Sequence, residues 1–255
     1  MPLELITVPC LADNYAYLLH DRDTGRTAVV DAPEAGPILA ALEAHQWRLT
    51  DILITHHHSD HIDGVEALRV RTGARVYGAA ADSHRLPRLD ETLRDGSRFR
   101  IGLQEVLVIE VPGHTVGHIA FLMPGSGYAF TADSLMAGGC GRLFEGTARQ
   151  MLASLQKLAA LPPETLICPG HENTTANLRF AATLEPNNLA LISRVKEAAA
   201  LRSQSRPTVP VRLETELATN PYLRVHLPEL KAAVGLETAE DAIVFAEIRA
   251  RKDKF

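Results

Sequence analysis

The sequence predicts an α/β fold, a sheet core covered by helices, followed by a smaller helical C-terminal region. Two observations carry that expectation. Up to about residue 170, short runs rich in valine, isoleucine, leucine and tyrosine alternate with turn signals and helical patterns. After residue 172 the strand-like runs stop and helical periodicity takes over.

In chain order, the strand-like runs are residues 3–7, 15–20, 27–31, 51–55, 75–77, 105–111, 119–123, 128–133 and 166–169, too many strands for a helical bundle. Between them, residues 35–46 and 148–160 have helical periodicity. Thr147 with Gln150 forms a capping-box pattern, and Pro162-Pro163 stops the second helix. Further on, residues 174–184, 187–201 and 238–249 read as helices, joined by a polar connection at 203–220 that contains Pro207 and Pro210. Thr238 and Asp241 form the capping pattern of the last helix, whose final turn gathers Arg249, Arg251 and Lys252, where positive charge complements the helix dipole. The expected domains are therefore 1–172, built on the sheet core, and 173–255, a helical domain.

The composition excludes several classes of function. With 255 residues, 46% hydrophobic and 22% charged, the chain is long enough for one large core and an appendage. A net charge of −5 offers no footprint for a phosphate backbone, so nucleic acid is not an expected partner. No apolar run approaches the roughly 18 residues of a membrane span, and the start lacks the pattern of a secretion signal, which points to a cytoplasmic protein. The three cysteines, Cys10, Cys140 and Cys168, are far apart and form no C-x-x-C pair, so they read as reduced and buried. No apolar excess asks for a partner subunit, and a monomer is expected.

The chemistry concentrates in THHHSDH, which places His56, His57, His58, Asp60 and His61 directly after the apolar run at 51–55. Where the backbone is still extended, residues two apart point the same way, so His56 and His58 can converge on one ion while His57 points elsewhere. Asp60 and His61, adjacent, are expected to diverge and serve a second ion. Imidazole and carboxylate suit zinc, iron or manganese. Four imidazoles and a carboxylate crowded together without a cation would leave unpaired polar groups. Further ligands are available at the ends of three later strands, namely His114, Asp133 and His171, and the two oxygens of Asp133 can bridge two ions. His57 and His118 read as supporting or packing residues, and His20, His45, His84 and His226 as ordinary ones.

THHHSDHIDG, PGHTVGH, ADS and PGHE, in this order and spacing, resemble the metallo-β-lactamase superfamily, whose fold is an αββα sandwich. DNYAYLL, GGCGRLFEGT, GHENT, NPYLR and the terminal RARKDKF are similar to the glyoxalase II family, the hydroxyacylglutathione hydrolases, over essentially the whole chain. The resemblance implies a metallo-β-lactamase-like αββα sandwich followed by a smaller helical C-terminal domain that contributes to glutathione binding. It implies two divalent metal ions, zinc first and iron or manganese next, with His56, His58 and His114 on one, Asp60, His61 and His171 on the other, and Asp133 between them. A hydroxide held by both ions would attack the thioester carbonyl of S-D-lactoylglutathione, with Asp60 and Asp133 as the carboxylates nearest the chemistry. Glutathione contacts are implied for Arg142, Phe144, Asn173, Arg249 and Lys252, cations on a rim being suited to its carboxylates. Many relatives carry tyrosine where this chain has Asn173, and Ala32-Pro33 replaces a frequent Pro-Gly; neither departure touches a ligand.

Rival readings share the scaffold. A persulfide dioxygenase would use one iron and lack a complete second ligand set. A lactonase or β-lactamase fits poorly with the long helical C-terminal region. A metal-binding module without catalysis would be easier to accept if Asp133 or one of the histidines were replaced.

Overall fold

Tyr17, Val29, Ile52 and Val76 belong to four runs whose side chains are almost all buried, the pattern of strands covered on both faces. A computed structural model describes residues 2–255 and divides into two compact units, 2–111 with 116–132, and 112–115 with 133–255. The division follows density of packing and does not coincide with the 172/173 boundary expected from sequence texture.

In the first unit, β1 (Glu4–Cys10) and β2 (Asn14–His20) form a hairpin in full register from Glu4↔His20 to Cys10↔Asn14. Then follow β3 (Thr27–Val30), α1 (Ala35–Ala44), β4 (Asp51–Leu53), the single turn α2 (Ser59–Ile62), α3 (Val65–Thr72), β5 (Arg75–Ala79) and β6 (Glu91–Leu93). The sheet order is β1-β2-β3-β4-β5-β6, with β3 to β6 parallel. Ile38 and Leu42, one helical turn apart on α1, join Leu68 of α3 in one apolar cluster with Val29, Ile52 and Val76. A second set of antiparallel strands, β7 (Arg98–Ile101), β8 (Gln104–Glu110), β9 (Ile119–Met123) and β10 (Tyr128–Ala132), runs in the order β10-β9-β8-β7. The two sets pack face to face through Tyr17 against Phe130 and Tyr77 stacked on Phe99, with ring centroids 5.5 and 4.9 Å apart.

The second unit begins with the short hairpin β11 (Leu135–Met136) and β12 (Gly139–Cys140). It continues through α4 (Ala148–Ala159), β13 (Leu166–Pro169), α5 (Thr174–Leu184), α6 (Leu189–Ser203), β14 (Val211–Arg212), α7 (Leu213–Thr219), α8 (Pro228–Val234) and α9 (Asp241–Asp253). The reciprocal capping box of Thr147 and Gln150 is formed at α4. Leu178 and Ala181 of α5 pack on Leu191 and Ala198 of α6.

Three expectations need correction. The polar connection at 203–220 contains β14, in which Val211 pairs with Ile167, and α7, whose buried face is Leu213, Glu216 and Thr219. A buried glutamate on that face hides the helix from a hydrophobicity pattern. The last helix starts at Asp241 behind Glu240, not behind Thr238, because Asp241 pairs with Lys231 of α8 at 2.9 Å instead of closing a capping box. Finally, α2, α3, α8, β6, β7 and the hairpin β11–β12 were not expected; most are too short or too charged to show a period.

All three cysteines are free and buried, and burial raises the Cys10 thiol to about 11 and the Cys140 thiol to about 12. Among the described residues, no helix is long and apolar enough to cross a membrane.

Candidate metal centre

The ligand loop of the first unit begins where β4 ends and the chain remains extended. His56 and His58 turn to the same side as expected, with His56 Nε2 and His58 Nδ1 only 3.1 Å apart. Two imidazole nitrogens at that spacing are what a shared cation needs. His57 points away, its Nδ1 lying 3.2 Å from the buried carboxylate of Asp82. Asp60 and His61 do not diverge: the chain turns into α2 at Ser59, and Asp60 Oδ2 lies 3.8 Å from His61 Nε2. From a helix, neighbouring side chains of this length can still converge.

Supporting groups hold His61, Asp60 and His56. His61 Nδ1 lies 2.8 Å from Asp31 Oδ2, and Asp31 also accepts from the Thr55 amide at 2.9 Å and the Thr55 hydroxyl at 2.8 Å. Asp31, His56 and His61 have ligand atoms within 4.8 Å of one another. With its oxygens engaged by Thr55 and His61, Asp31 serves as an orienting carboxylate, holding the proton on His61 Nδ1 and leaving Nε2 to bind. Asn14 donates from Nδ2 to the Asp60 carbonyl at 2.9 Å and to its carboxylate at 3.1 Å. The ring of His118 stacks on His56 with centroids 4.7 Å apart. Gly117 leaves the space that Asp82 fills, since a Cβ there would sit 2.1 Å from the Asp82 carboxyl carbon.

The second unit supplies a complementary arrangement around Asp133. His114 Nε2 lies 3.3 Å from one Asp133 oxygen, and His171 Nε2 lies 3.4 Å from the other. A carboxylate with an imidazole nitrogen at each oxygen is the donor set of a bridging ligand. His114 Nδ1 donates to the Arg142 carbonyl at 2.8 Å, which leaves Nε2 as the binding atom. The residues present therefore fit divalent cations in both units: the buried imidazoles of His61 and His114 each have Nδ1 tied and Nε2 directed at a carboxylate.

The residues implied for substrate have distinct settings. Arg142 lies over the Phe144 ring at 4.9 Å, and Phe144 meets His114 edge to face at 5.2 Å. Asn173 precedes α5 and makes no side-chain cap. Lys252 lies 5.6 Å from the Phe180 ring and 5.3 Å from the Phe255 ring, and burial together with Arg249 and Arg179 pulls its pKa below the ordinary lysine value. Arg249 is buried, donating to the Cys140 carbonyl at 2.9 Å and pairing with Asp253 at 2.9 Å. Sequence reasoning missed Asp31, Asn14 and Asp82 as supports. The sequence signal for Asp31 was its place as a carboxylate at the end of the strand-like run 27–31.

This fold and this set of donors define a protein of the metallo-β-lactamase superfamily, and the model of that superfamily matches residues 13–171. The model of the hydroxyacylglutathione hydrolase C-terminus matches residues 172–255. A hydroxyacylglutathione hydrolase of Cereibacter sphaeroides is 67% identical over 255 residues, covering 100% of both chains. One from Ruegeria pomeroyi is 57% identical, again covering 100% of both. The chain belongs to the hydroxyacylglutathione hydrolase family. Among solved structures, ETHE1 from Myxococcus xanthus is 25% identical with a TM-score of 0.65, covering 99% of this chain and 98% of its own. TTHA1623 in a di-iron-bound form is 29% identical with a TM-score of 0.56, covering 66% of this chain and 91% of its own. The expected fold, a metallo-β-lactamase-like sandwich followed by a helical C-terminal domain, is thus the fold of this family.

Proposed function

We propose that the chain hydrolyses the thioester of S-(2-hydroxyacyl)glutathione, chiefly S-D-lactoylglutathione, to D-lactate and glutathione, the second step of methylglyoxal detoxification. The observation that carries this reading is likeness to hydroxyacylglutathione hydrolases over the full length, helical region included. The ligand assignment follows the family pattern: His56, His58 and His114 for one divalent ion, Asp60, His61 and His171 for the other, and Asp133 shared. When bound, such ions supply a water of lowered pKa and a Lewis acid for the carbonyl. Zinc is the first choice and iron or manganese the next, since this donor set suits all three.

The chain's own groups do the rest. Asp31 and the Arg142 carbonyl keep protons on the Nδ1 atoms of His61 and His114, so each Nε2 stays a ligand. Asp60, held by Asn14 and partly exposed, is the carboxylate placed to take a proton from the attacking water. Glutathione leaves as a thiolate, which needs little acid assistance because a thiol ionises near pH 8.5. Arg142, Phe144, Asn173, Arg249 and Lys252 are assigned to glutathione. The depressed Lys252 beside Arg249 and Arg179 is a cluster that an anionic carboxylate would relieve. Arg249 would receive a carboxylate in exchange for Asp253. Residues 1–172 form the catalytic domain in this reading and 173–255 the substrate-binding helices, working as a cytoplasmic monomer; buried, free cysteines suit a reducing compartment.

Purified, metal-replete protein incubated with S-D-lactoylglutathione should release one thiol for each D-lactate formed. Stable thioester under those conditions would sink the assignment.

A further inference from the structure

The hairpin that links Asp133 to Arg142 has little backbone pairing of its own, yet its polar backbone groups are met one after another by side chains of the helices in the same unit. Asn220 donates from Nδ2 to the Met136 carbonyl at 3.1 Å and the Gly139 carbonyl at 2.9 Å. Asn177 of α5 donates to the Ala137 carbonyl at 3.0 Å. Glu216 of α7 accepts the Gly138 amide at 2.8 Å and is itself held by Asn220 at 2.9 Å. Arg249 of α9 takes the Cys140 carbonyl. Asn220 is 0% and Glu216 1% exposed, so each contact is made away from water, where a lost partner leaves a costly orphan.

The two ends of this hairpin carry the metal chemistry. Asp133 stands just before it, and the Arg142 carbonyl that orients His114 stands just after it. At the base, the Gly141 amide bonds the Ser134 carbonyl at 3.3 Å, and a Cβ on Gly141 would lie 2.0 Å from the Asp133 carbonyl oxygen. A hairpin closed so tightly passes a displacement of its tip on to both ends.

From this geometry we propose that Asn220 and Glu216 are positioning residues for metal binding: by clamping residues 136–139 they set the placement of Asp133 and, through the Arg142 carbonyl, of His114. The proposal rests on the metal-dependent hydrolysis proposed above, and it assigns part of the helical region to the metals and not to glutathione. Neither side chain touches a ligand. Their effect travels through the hairpin backbone.

The test compares metal-replete wild type with N220A, E216L and E216Q, following metal retained during dialysis against a chelator, steady-state hydrolysis of S-D-lactoylglutathione, and folding by near-UV circular dichroism. N220A and E216L should lose metal faster and drop kcat by roughly 10-fold or more, the scale of supporting groups at metal sites, with KM little changed. E216Q keeps a carbonyl acceptor for the Gly138 amide and should stay within about twofold of wild type in retention and kcat. A folded N220A with wild-type metal retention and kcat overturns the proposal, as does E216Q behaving like E216L, or a change confined to KM. If N220A does not fold, N177A, which withdraws only the donor to the Ala137 carbonyl, carries the same comparison. A wild type that holds metal yet leaves the thioester intact refutes the proposed function, while the retention series still decides the clamp.

Discussion

Glu216 offers a thermodynamic prediction that can be worked from its surroundings. Its carboxyl is entirely enclosed, and burial raises its pKa from the ordinary 4.5 to about 7, against the lowering effects of the Asn220 and Gly138 donors and of Arg194. A group whose pKa is higher in the folded state binds its proton more tightly there than in the unfolded chain. Its contribution to stability is therefore complete below pH 4.5 and is lost as pH rises through 7. At 1.36 kcal/mol per pH unit, the rise from 4.5 to about 7 corresponds to roughly 3 kcal/mol. Glu216→Gln replaces the group by a neutral isostere of the protonated acid. Wild type relative to Glu216→Gln should lose roughly 3 kcal/mol of unfolding free energy between pH 4.5 and 8, most of it before pH 7. Urea titrations of both proteins at several pH values measure this difference, in which titrations common to both cancel. A difference that stays constant with pH would show that Glu216 titrates alike in folded and unfolded chains, and a difference that grows in favour of wild type would reverse the sign.

Asp31→Ala removes the carboxylate that orients His61 and should weaken metal affinity by roughly 10- to 100-fold, measured by chelator competition; unchanged affinity would leave Asp31 as a purely structural partner of Thr55. Lys252→Ala should raise KM for S-D-lactoylglutathione by about 10-fold with kcat nearly constant, as loss of uniform binding requires; an unchanged KM would return Lys252 to its packing on Phe180 and Phe255. Gly117→Ala drives a methyl into Asp82 and should destabilise the protein by about 1–3 kcal/mol in the same urea assay. A neutral result there would mean that Asp82 moves aside freely.

Legibility in the sequence followed how local each signal was. THHHSDH announced a metal site because its residues are neighbours, and the separation of His56 and His58 from His57 needed only strand geometry. The relation of Asp60 to His61 was misread because the strand geometry was carried one turn too far, past the start of α2. Asp31 and Asn14 escaped notice since each meets the ligand loop across the sheet, a contact with no sequence spacing to reveal it. In the C-terminal region, α7 was hidden by the very residue that makes it interesting: a glutamate on a buried face reads as a surface helix or a loop until Gly138 and Asn220 are seen to occupy it. Arg249 illustrates the reverse. The family pattern places it on substrate, and its bonds to the Cys140 carbonyl and Asp253 tie it into the hairpin as well.

The dinuclear thioesterase reading is tested most directly by presenting one metal-analysed sample with two substrates side by side, S-D-lactoylglutathione monitored for thiol release and glutathione persulfide monitored in an oxygen electrode. A dinuclear thioesterase should hold close to two divalent metals per chain, release thiol in step with D-lactate and take up no oxygen. One metal per chain with oxygen consumed on the persulfide and the thioester untouched would contradict that reading.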